Sequence, residues 1–335
     1  MIVVSNLDWE RMDTKRRQEC NALMRRSNHK ADRGGFDLKA GSGTSTQSNP
    51  FLEHRQCPVG RISWVAKPCN QYNGMKKVVS SRRWFLKSMI LALPLVAVGA
   101  EGRLVEPTWL RVRQASIPDT KLGVRFVQIS DLHHKGDLAY LRHIVALVNQ
   151  LQPAFCCLTG DLVEQACFLP ETLEALAGIR APVFGVPGNH DYWSGVDFSM
   201  IRRSLRAGGG DWLLDEQCRV ADGKIIITGS AGLNPSSIPA PNPGNTFNLL
   251  LMHYPAWVKH IGNRPYGLIL AGHSHGGQVR LPLVGAPFLP DNVDGYELGF
   301  YETPAGLLYV NPGIGYIGIY HFRFNCRPEI TLFEV

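Results

Sequence analysis

The sequence lacks the features of several common protein classes. Its eight cysteines include no Cys-x-x-Cys pair and no regular spacing, which disfavours a disulfide framework and a structural zinc site. The uncharged apolar run at residues 88–100 is shorter than the roughly 20 residues that a helix needs to cross a bilayer. No internal repeat is found. The chain of 335 residues is nevertheless long enough for one large domain with a substantial core.

Most of the chain also has no excess of basic over acidic residues. The formal charge is +7, yet residues 101–335 carry 18 Lys and Arg against 21 Asp and Glu. Residues 1–74 carry 12 basic against 7 acidic residues, and residues 75–100 carry 5 against none. Domains that bind nucleic acid cluster Lys and Arg on their folded surface. We therefore expect no nucleic-acid partner.

The first hundred residues divide into two stretches. Residues 1–74 show no hydrophobic periodicity and are predicted to be disordered, or to precede a true start at Met75. In residues 75–100, basic residues precede an apolar run that ends in small residues, as in a secretory signal. Arg82 and Arg83 match a twin-arginine signal that export machinery would recognise. The alternative is a membrane anchor through residues 84–100.

Both interpretations of the leader place the remaining domain, residues 101–335, outside the cytoplasm, because basic residues precede the apolar run. The predicted location is the periplasm or cell envelope, with the cytoplasmic membrane surface as the alternative.

Strands and helices alternate in the first half of this domain. Apolar runs predict strands at residues 124–129, 154–158 and 183–186, and helical spacing predicts helices at residues 137–151, 170–177 and 198–206. The second half is richer in strands, predicted at residues 224–228, 247–252, 268–270, 307–310 and 330–333. This order predicts an α/β fold in which sheets pack face to face and are flanked by helices.

Five short polar motifs follow the ends of apolar runs. They are Asp131-Leu132-His133, Gly160-Asp161, Gly188-Asn189-His190-Asp191, His253, and Gly272-His273-Ser274-His275. Each motif alone also occurs in ordinary turns. Together they contain enough imidazole, carboxylate and amide groups for two metal ions, and these ligands suit Mn, Fe, Zn or Co. The five motifs therefore predict a two-metal hydrolase.

The same motifs resemble those of the calcineurin-like metallophosphoesterase family, and the resemblance covers residues 122–335. It implies a four-layer α/β/β/α sandwich with two divalent ions at the strand ends, with Mn²⁺ the leading choice. It implies one ion held by Asp131, His133 and His275, a second held by Asn189, His253 and His273, and a bridge through Asp161.

The resemblance also implies a mechanism in which hydroxide attacks phosphorus in line. The two ions would acidify the attacking water and neutralise the phosphoryl oxygens. His190 would protonate the leaving oxygen, and Asp191 would orient His190.

Departures from the family pattern narrow the choice of branch. Purple acid phosphatases have tyrosine where this chain has Glu164, and serine/threonine protein phosphatases have Asn-His-Glu where it has Asn189-His190-Asp191. The chain looks most similar to a compact bacterial branch with a membrane or twin-arginine leader. That branch includes phosphodiesterases and enzymes similar to UDP-2,3-diacylglucosamine pyrophosphatase of lipid A synthesis. The implied substrate is a phosphorylated small molecule or lipid, and the alternative of another class is a non-catalytic binding protein.

One apolar stretch, residues 281–290, follows the last motif directly. We expect a proline-rich turn packed on the core. The alternative is a site for an acyl chain beside the metals.

Overall fold

A computed structural model describes residues 99–118, 120–317 and 321–335. The predictions for residues 1–74 and for the leader up to residue 98, including Arg82 and Arg83, lie outside the described residues. Within the described residues, no helix is long and apolar enough to cross a bilayer.

The first of two sheets is built mainly from the first half of the domain. Its strands are β1 (Arg111–Ser116), β2 (Arg125–Ile129), β3 (Phe155–Thr159), β4 (Val183–Val186), β5 (Asp211–Trp212) and β12 (Glu329–Glu334). Their order is β1-β12-β2-β3-β4-β5. Strands β2 to β5 run parallel, whereas β12 is parallel to β1 and antiparallel to β2. Strands β3 and β4 are buried throughout, as expected for a parallel sheet covered on both faces.

Helices cover the outer face of this sheet. The α-helices after β2 are α1 (Leu138–Leu151), α2 (Leu169–Leu176), α3 (Asn189–Trp193) and α4 (Phe198–Ala207). Helix α1 begins where the carboxylate of Asp137 accepts the backbone N–H of Tyr140, and it ends at Gln152 in a left-handed conformation. Apolar side chains from α1, α2 and α4 pack with β2, β3 and β4 in one core cluster. The single turn of α3 instead carries site residues.

The second sheet is built from β6 (Glu216–Val220), β7 (Ile225–Gly229), β8 (Phe247–Leu251), β9 (Tyr266–Ala271), β10 (Gly299–Thr303) and β11 (Gly306–Val310). Its order is β10-β11-β9-β8-β7-β6, and the four inner strands run parallel. It packs face to face against the first sheet through a second core cluster that includes Phe126, Phe155, Leu249 and Leu268. The predicted α/β fold with two packed sheets is confirmed.

The outer face of the second sheet is covered differently from that of the first. Ile238, Val258 and Ile261 pack there with the buried side chains of β8, β9 and β11. Val258 comes from the 3-10 turn Pro255–Lys259, and the other two lie outside helices. In the described part of the chain, the fourth layer is therefore made of 3-10 turns and loops.

The strand directions bring the motifs together. β2, β3 and β4 end at the same edge of the first sheet, and β8 and β9 end at the matching edge of the second. Each of the five is followed by one of the polar motifs. Ligands in open α/β sheets bind beyond the carboxyl ends of the strands. This double edge is therefore where a site should form.

Candidate metal centre

The seven side chains expected to bind metal meet in one buried cluster. All are at most 8% exposed, and they are Asp131, His133, Asp161, Asn189, His253, His273 and His275. Each follows a strand within a few residues: Asp131 after β2, Asp161 after β3 and His253 after β8. The structure thus brings together every residue of the predicted ligand set.

Within the cluster, the side chains form two groups. In the first, Nε2 of His275 lies 3.5 Å from Oδ1 of Asp131 and 3.1 Å from Nε2 of His133. In the second, Nε2 of His253 lies 3.0 Å from Oδ1 of Asn189 and 3.1 Å from Nδ1 of a second histidine, His273. Each group turns its nitrogen and oxygen atoms toward a shared centre.

Asp161 joins the two groups. Its Oδ2 lies 3.3 Å from Nε2 of His133 in the first group and 3.3 Å from Nε2 of His253 in the second. Its other oxygen, Oδ1, accepts the backbone N–H of His190 at 2.8 Å. One carboxylate oxygen is therefore placed equally between the two groups, and the other is fixed by the backbone.

The backbone of the site is held in an unusual conformation. Five of the seven residues have φ in the left-handed region: Asp131 (52°), His133 (40°), Asp161 (56°), His273 (69°) and His275 (49°). Such conformations cost about 1–3 kcal/mol each and cluster at functional sites. They persist here because each residue lies between a buried strand and a tightly packed turn.

Glycines allow the loops to approach one another. Gly160 has φ +90°, and a Cβ there would lie 2.6 Å from Nδ1 of His253 and 2.7 Å from the backbone nitrogen of Gly188. No side chain fits in that space. The glycine before the bridging aspartate is therefore required by the close packing of the loops after β3, β4 and β8.

Acceptors behind the cluster orient the histidine rings. Nδ1 of His253 lies 2.8 Å from the carbonyl oxygen of Thr159, and Nε2 of His273 lies 2.7 Å from that of Asp291. These nitrogens donate to the carbonyls, so the opposite nitrogen of each ring presents its lone pair to the cluster. Partners of this kind fix the tautomer of metal-binding histidines.

The charges of the site favour a cation at its centre. Burial alone would raise the pKa of Asp161, but the facing His253 and His133 hold that pKa well below its usual value. Burial lowers the pKa of His133, yet its hydrogen bonds with Asp161 and Glu164 outweigh burial and raise the pKa to about 9. The carboxylate of Asp161 thus attracts positive charge beside Nε2 of His133, and that of Glu164 does so beside Nδ1.

His273 behaves in the opposite way. Burial and the nearby His253 lower the pKa of His273 to about 3, so this ring is neutral and keeps a lone pair for a metal.

The proposed acid, His190, lies at the rim of the cluster on α3. Its ring packs edge-on against that of His133, with centroids 4.5 Å apart, and its Nδ1 lies 3.2 Å from Oε2 of Glu164. The same Oε2 lies 2.9 Å from Nδ1 of His133. Glu164 therefore orients both rings, and Nε2 of His190 is the nitrogen left for a substrate.

Asp191 does not orient His190, which corrects the role expected for it. Its fully buried carboxylate accepts the backbone N–H groups of Asp161 (2.8 Å), Leu162 (2.9 Å) and Gly188 (2.9 Å). Burial and the charge of Asp161 raise the pKa of Asp191 to about 7, whereas the backbone donors act in the opposite direction. Asp191 instead ties the loops after β3 and β4 together.

Sequence reasoning missed the position of Glu164. In the sequence, Glu164 served only to distinguish this chain from the purple acid phosphatases. Its spacing, three residues after Asp161, gave no sign that one carboxylate oxygen would face two histidine rings. The carbonyl oxygens of Thr159 and Asp291 were also missed, because backbone acceptors leave no signal in a sequence.

The residues present fit divalent ions. Three overlapping groups of residues, each with its nitrogen and oxygen ligand atoms within 4.8 Å of one another, could each hold a cation. The mixed imidazole, carboxylate and amide donors are those of Mn, Fe, Zn or Co sites. A cation would also supply the positive charge that the buried carboxylates attract.

Comparison with known proteins agrees with this geometry. The family model for calcineurin-like phosphoesterases matches residues 124–277. The uncharacterized metallophosphoesterase YkuE of Bacillus subtilis is 31% identical over 293 residues, covering 78% of this chain and 99% of YkuE. The chain belongs to the calcineurin-like phosphoesterase family.

Two further relatives have names that state an activity. The phosphodiesterase YaeI of Escherichia coli is 29% identical and covers 76% of this chain and 99% of YaeI. The UDP-2,3-diacylglucosamine pyrophosphatase LpxG of Chlamydia trachomatis is 28% identical and covers 72% of this chain and 94% of LpxG. This calcineurin-like phosphoesterase is accordingly a phosphoester hydrolase of a family that uses divalent metals.

Proposed function

We propose that this phosphoesterase uses two metal ions to hydrolyse phosphodiester or phosphoanhydride bonds. The observation that carries the proposal is the position of Asp161, whose Oδ2 lies 3.3 Å from a histidine nitrogen in each group. One ion would be held by Asp131, His133 and His275, the other by Asn189, His253 and His273, with Asp161 shared. We propose Mn²⁺ as the metal, with Fe, Zn and Co as alternatives.

The protein's own residues supply the remaining chemistry. Bound ions would acidify a water and neutralise the phosphoryl oxygens. As hydroxide attacks phosphorus, the bond to the leaving oxygen breaks and that oxygen takes a proton from Nε2 of His190. Oε2 of Glu164 lies 3.2 Å from Nδ1 of His190 and orients its ring. Nε2 of His190 is thereby left to give its proton to the leaving oxygen.

The test is hydrolysis of bis-p-nitrophenyl phosphate by the purified full-length protein with Mn²⁺. We expect turnover, and a loss of about 100-fold or more in kcat for His190→Gln, since general acid catalysis contributes ~10²–10⁴-fold. The matched control is His143→Gln, an exposed histidine of α1, which should retain full activity. Absence of turnover with every divalent metal, in a folded sample, would refute the proposal.

A more specific substrate is supported by one relative. Because LpxG is a UDP-2,3-diacylglucosamine pyrophosphatase, we propose that substrate as a second candidate. Both substrates should be offered to the same sample. A value of kcat/KM for UDP-2,3-diacylglucosamine no higher than that for bis-p-nitrophenyl phosphate would remove this candidate.

We also propose, from the leader alone, that the catalytic domain acts outside the cytoplasm. N-terminal sequencing of the mature protein tests this. An N-terminus at Glu101 is expected for a cleaved signal, and a retained leader would indicate an anchor.

A further inference from the structure

A loop beside the metal centre exposes an unusual amount of apolar surface. Residues 281–290 contain no charged side chain. Leu283 is fully exposed, Phe288 is 83% exposed and Val284 is 73% exposed. The expectation that this stretch packs on the core is therefore wrong. Exposed apolar clusters of this kind mark sites of interaction with a membrane or a protein.

The backbone conformation at the tip of the loop is also unusual for an exposed apolar residue. The backbone N–H of Leu281 donates to the carbonyl of Gly285 at 2.8 Å, and that of Gly285 donates back at 2.9 Å. Leu283 lies at the tip of this turn with φ 67°. Glycine or asparagine normally occupies such positions. A leucine at this position has an unfavourable backbone conformation and an exposed apolar side chain. We infer that the side chain has a binding partner.

The base of the loop lies against the metal centre. The loop begins after the 3-10 turn His275–Gly277, and a Cβ on Gly277 would collide with Ala286. Just past its end, the carbonyl oxygen of Asp291 accepts from His273. A surface that binds the tip would therefore lie next to the cluster of ligands.

The chain enters the domain next to this loop. Residue 279 pairs with residue 324, and the N–H of Arg280 donates to the carbonyl of Phe324 at 2.8 Å. The neighbouring N–H of Asn325 donates to the carboxylate of Glu106 at 2.8 Å. Segments 101–106, 322–326 and 278–281 thus lie side by side. A cavity of about 500 Å³ between them is lined by Glu101 and Trp109 on one side and by Arg280 and Pro282 on the other.

This arrangement puts two apolar features together. The apolar run of residues 88–100 leads directly into the first of these segments. The residues that follow the apolar run also expose apolar side chains, since Leu104 is 74% exposed and Trp109 is 53% exposed. The base of the loop and the first residues of the domain therefore belong to one region of the surface.

We propose that residues 281–290 insert into the lipid interface of a bilayer and hold the metal centre at the membrane surface. This inference rests on the proposed function, and it means that the enzyme acts on phosphate esters carried by membrane lipids. Insertion is driven by apolar burial rather than by charge, because residues 278–298 contain one basic and three acidic side chains. Apolar side chains buried at the interface contribute to such binding in proportion to their area.

The first test measures insertion of the loop directly, using the full chain. Leu283→Trp is mixed with phosphatidylcholine vesicles whose acyl chains carry bromine, which quenches tryptophan within the bilayer. The wild type corrects for the 7 natural tryptophans. The control is Leu233→Trp, a position 71% exposed on a different loop. We expect additional quenching for Leu283→Trp alone. Equal quenching of both variants, or none, would overturn the proposal.

The second test uses activity on matched substrates. Hexadecyl p-nitrophenyl phosphate in phosphatidylcholine vesicles is compared with soluble ethyl p-nitrophenyl phosphate. For the triple variant Leu283→Ser/Val284→Ser/Phe288→Ser, we expect a loss of about tenfold or more on the vesicle substrate, as partition falls with each lost apolar group, and an unchanged rate on the soluble one.

Other results have separate meanings. An equal loss on both substrates would show that the loop only supports the site, and would overturn the proposal. Self-association of the wild type that disappears in the triple variant would assign the loop to a second copy of the chain. If the wild type hydrolyses neither substrate, the proposed function fails, while the quenching measurement still reports on membrane insertion.

Discussion

Replacing Asp191 by asparagine should weaken the fold through the backbone that it holds. Its carboxylate accepts the N–H groups of Asp161, Leu162 and Gly188 at 2.8–2.9 Å and is fully buried. Asparagine offers one oxygen and one NH₂ group, so at least one backbone N–H would face a second donor. An unpaired buried donor costs ~1–3 kcal/mol, and the remaining bonds lose the strengthening that an ionised acceptor provides.

Together these effects predict a loss of about 2–4 kcal/mol in the free energy of unfolding. For a domain of this size, the corresponding fall in Tm is roughly 4–16 °C. The assay is thermal unfolding of the full-length protein in buffer with a chelator, so that metal binding does not contribute. Asp197→Asn is the matched control, because Asp197 is exposed and caps α4 by accepting the N–H of Ser199, and asparagine caps helices equally well.

The opposite pattern would refute this reasoning. If Asp191→Asn unfolds within a degree or so of the wild type while kcat falls sharply, the carboxylate acts on His190 and not on the backbone. The comparison therefore separates the contact seen in the structure from the role that the family resemblance implied.

Three further substitutions test the site. Asp161→Asn should reduce the bound Mn²⁺ below two ions per chain, measured by metal analysis after gel filtration; retention of both ions would contradict the bridging role. Glu164→Gln should lower kcat about 10–100-fold with little change in KM, since partners behind catalytic histidines have effects of that size; a change in KM alone would contradict it. Gly160→Ala should lower both Tm and metal content, because its Cβ would lie 2.6 Å from the ring of His253. Gly195→Ala, also left-handed but with open space around it, should cost only the ~1–2 kcal/mol of the backbone conformation.

The inner strands and the helices could be predicted from the sequence because they bury apolar side chains in regular patterns. Strand β4 begins and ends where expected, and α1 starts one residue after its predicted limit. Strands β1, β5, β6 and β10 were not predicted, and all four are edge strands. An edge strand has only one neighbouring strand and much exposed surface. Apolar and polar residues therefore alternate only weakly along a strand such as β1, and its structure depends on the partner strand.

The sequence could also predict which side chains come together at the candidate metal centre, but not the contacts that support them. The motifs follow the ends of strands, and the family resemblance implied that Asp161 and His253 belong to one site. The contacts of Glu164 and Asp191 depend on the exact course of the loops after β3 and β4. A carboxylate next to a histidine in the sequence suggested a side-chain pair, but the turn of α3 directs Asp191 to the backbone.

The position of β12 has a consequence for the order of folding. Residues 329–334 lie between β1 and β2, so a strand that comes far later in the chain than both of its neighbours occupies an interior place in the first sheet. Until it leaves the ribosome, β1 has no partner and β2 has one open edge. Pairing over such a distance is slow and comes late. The candidate metal-binding loops after β2 and β3 can therefore reach their final arrangement only after β12 has been synthesised, and any chaperone that meets the nascent chain before then would find β2 exposed.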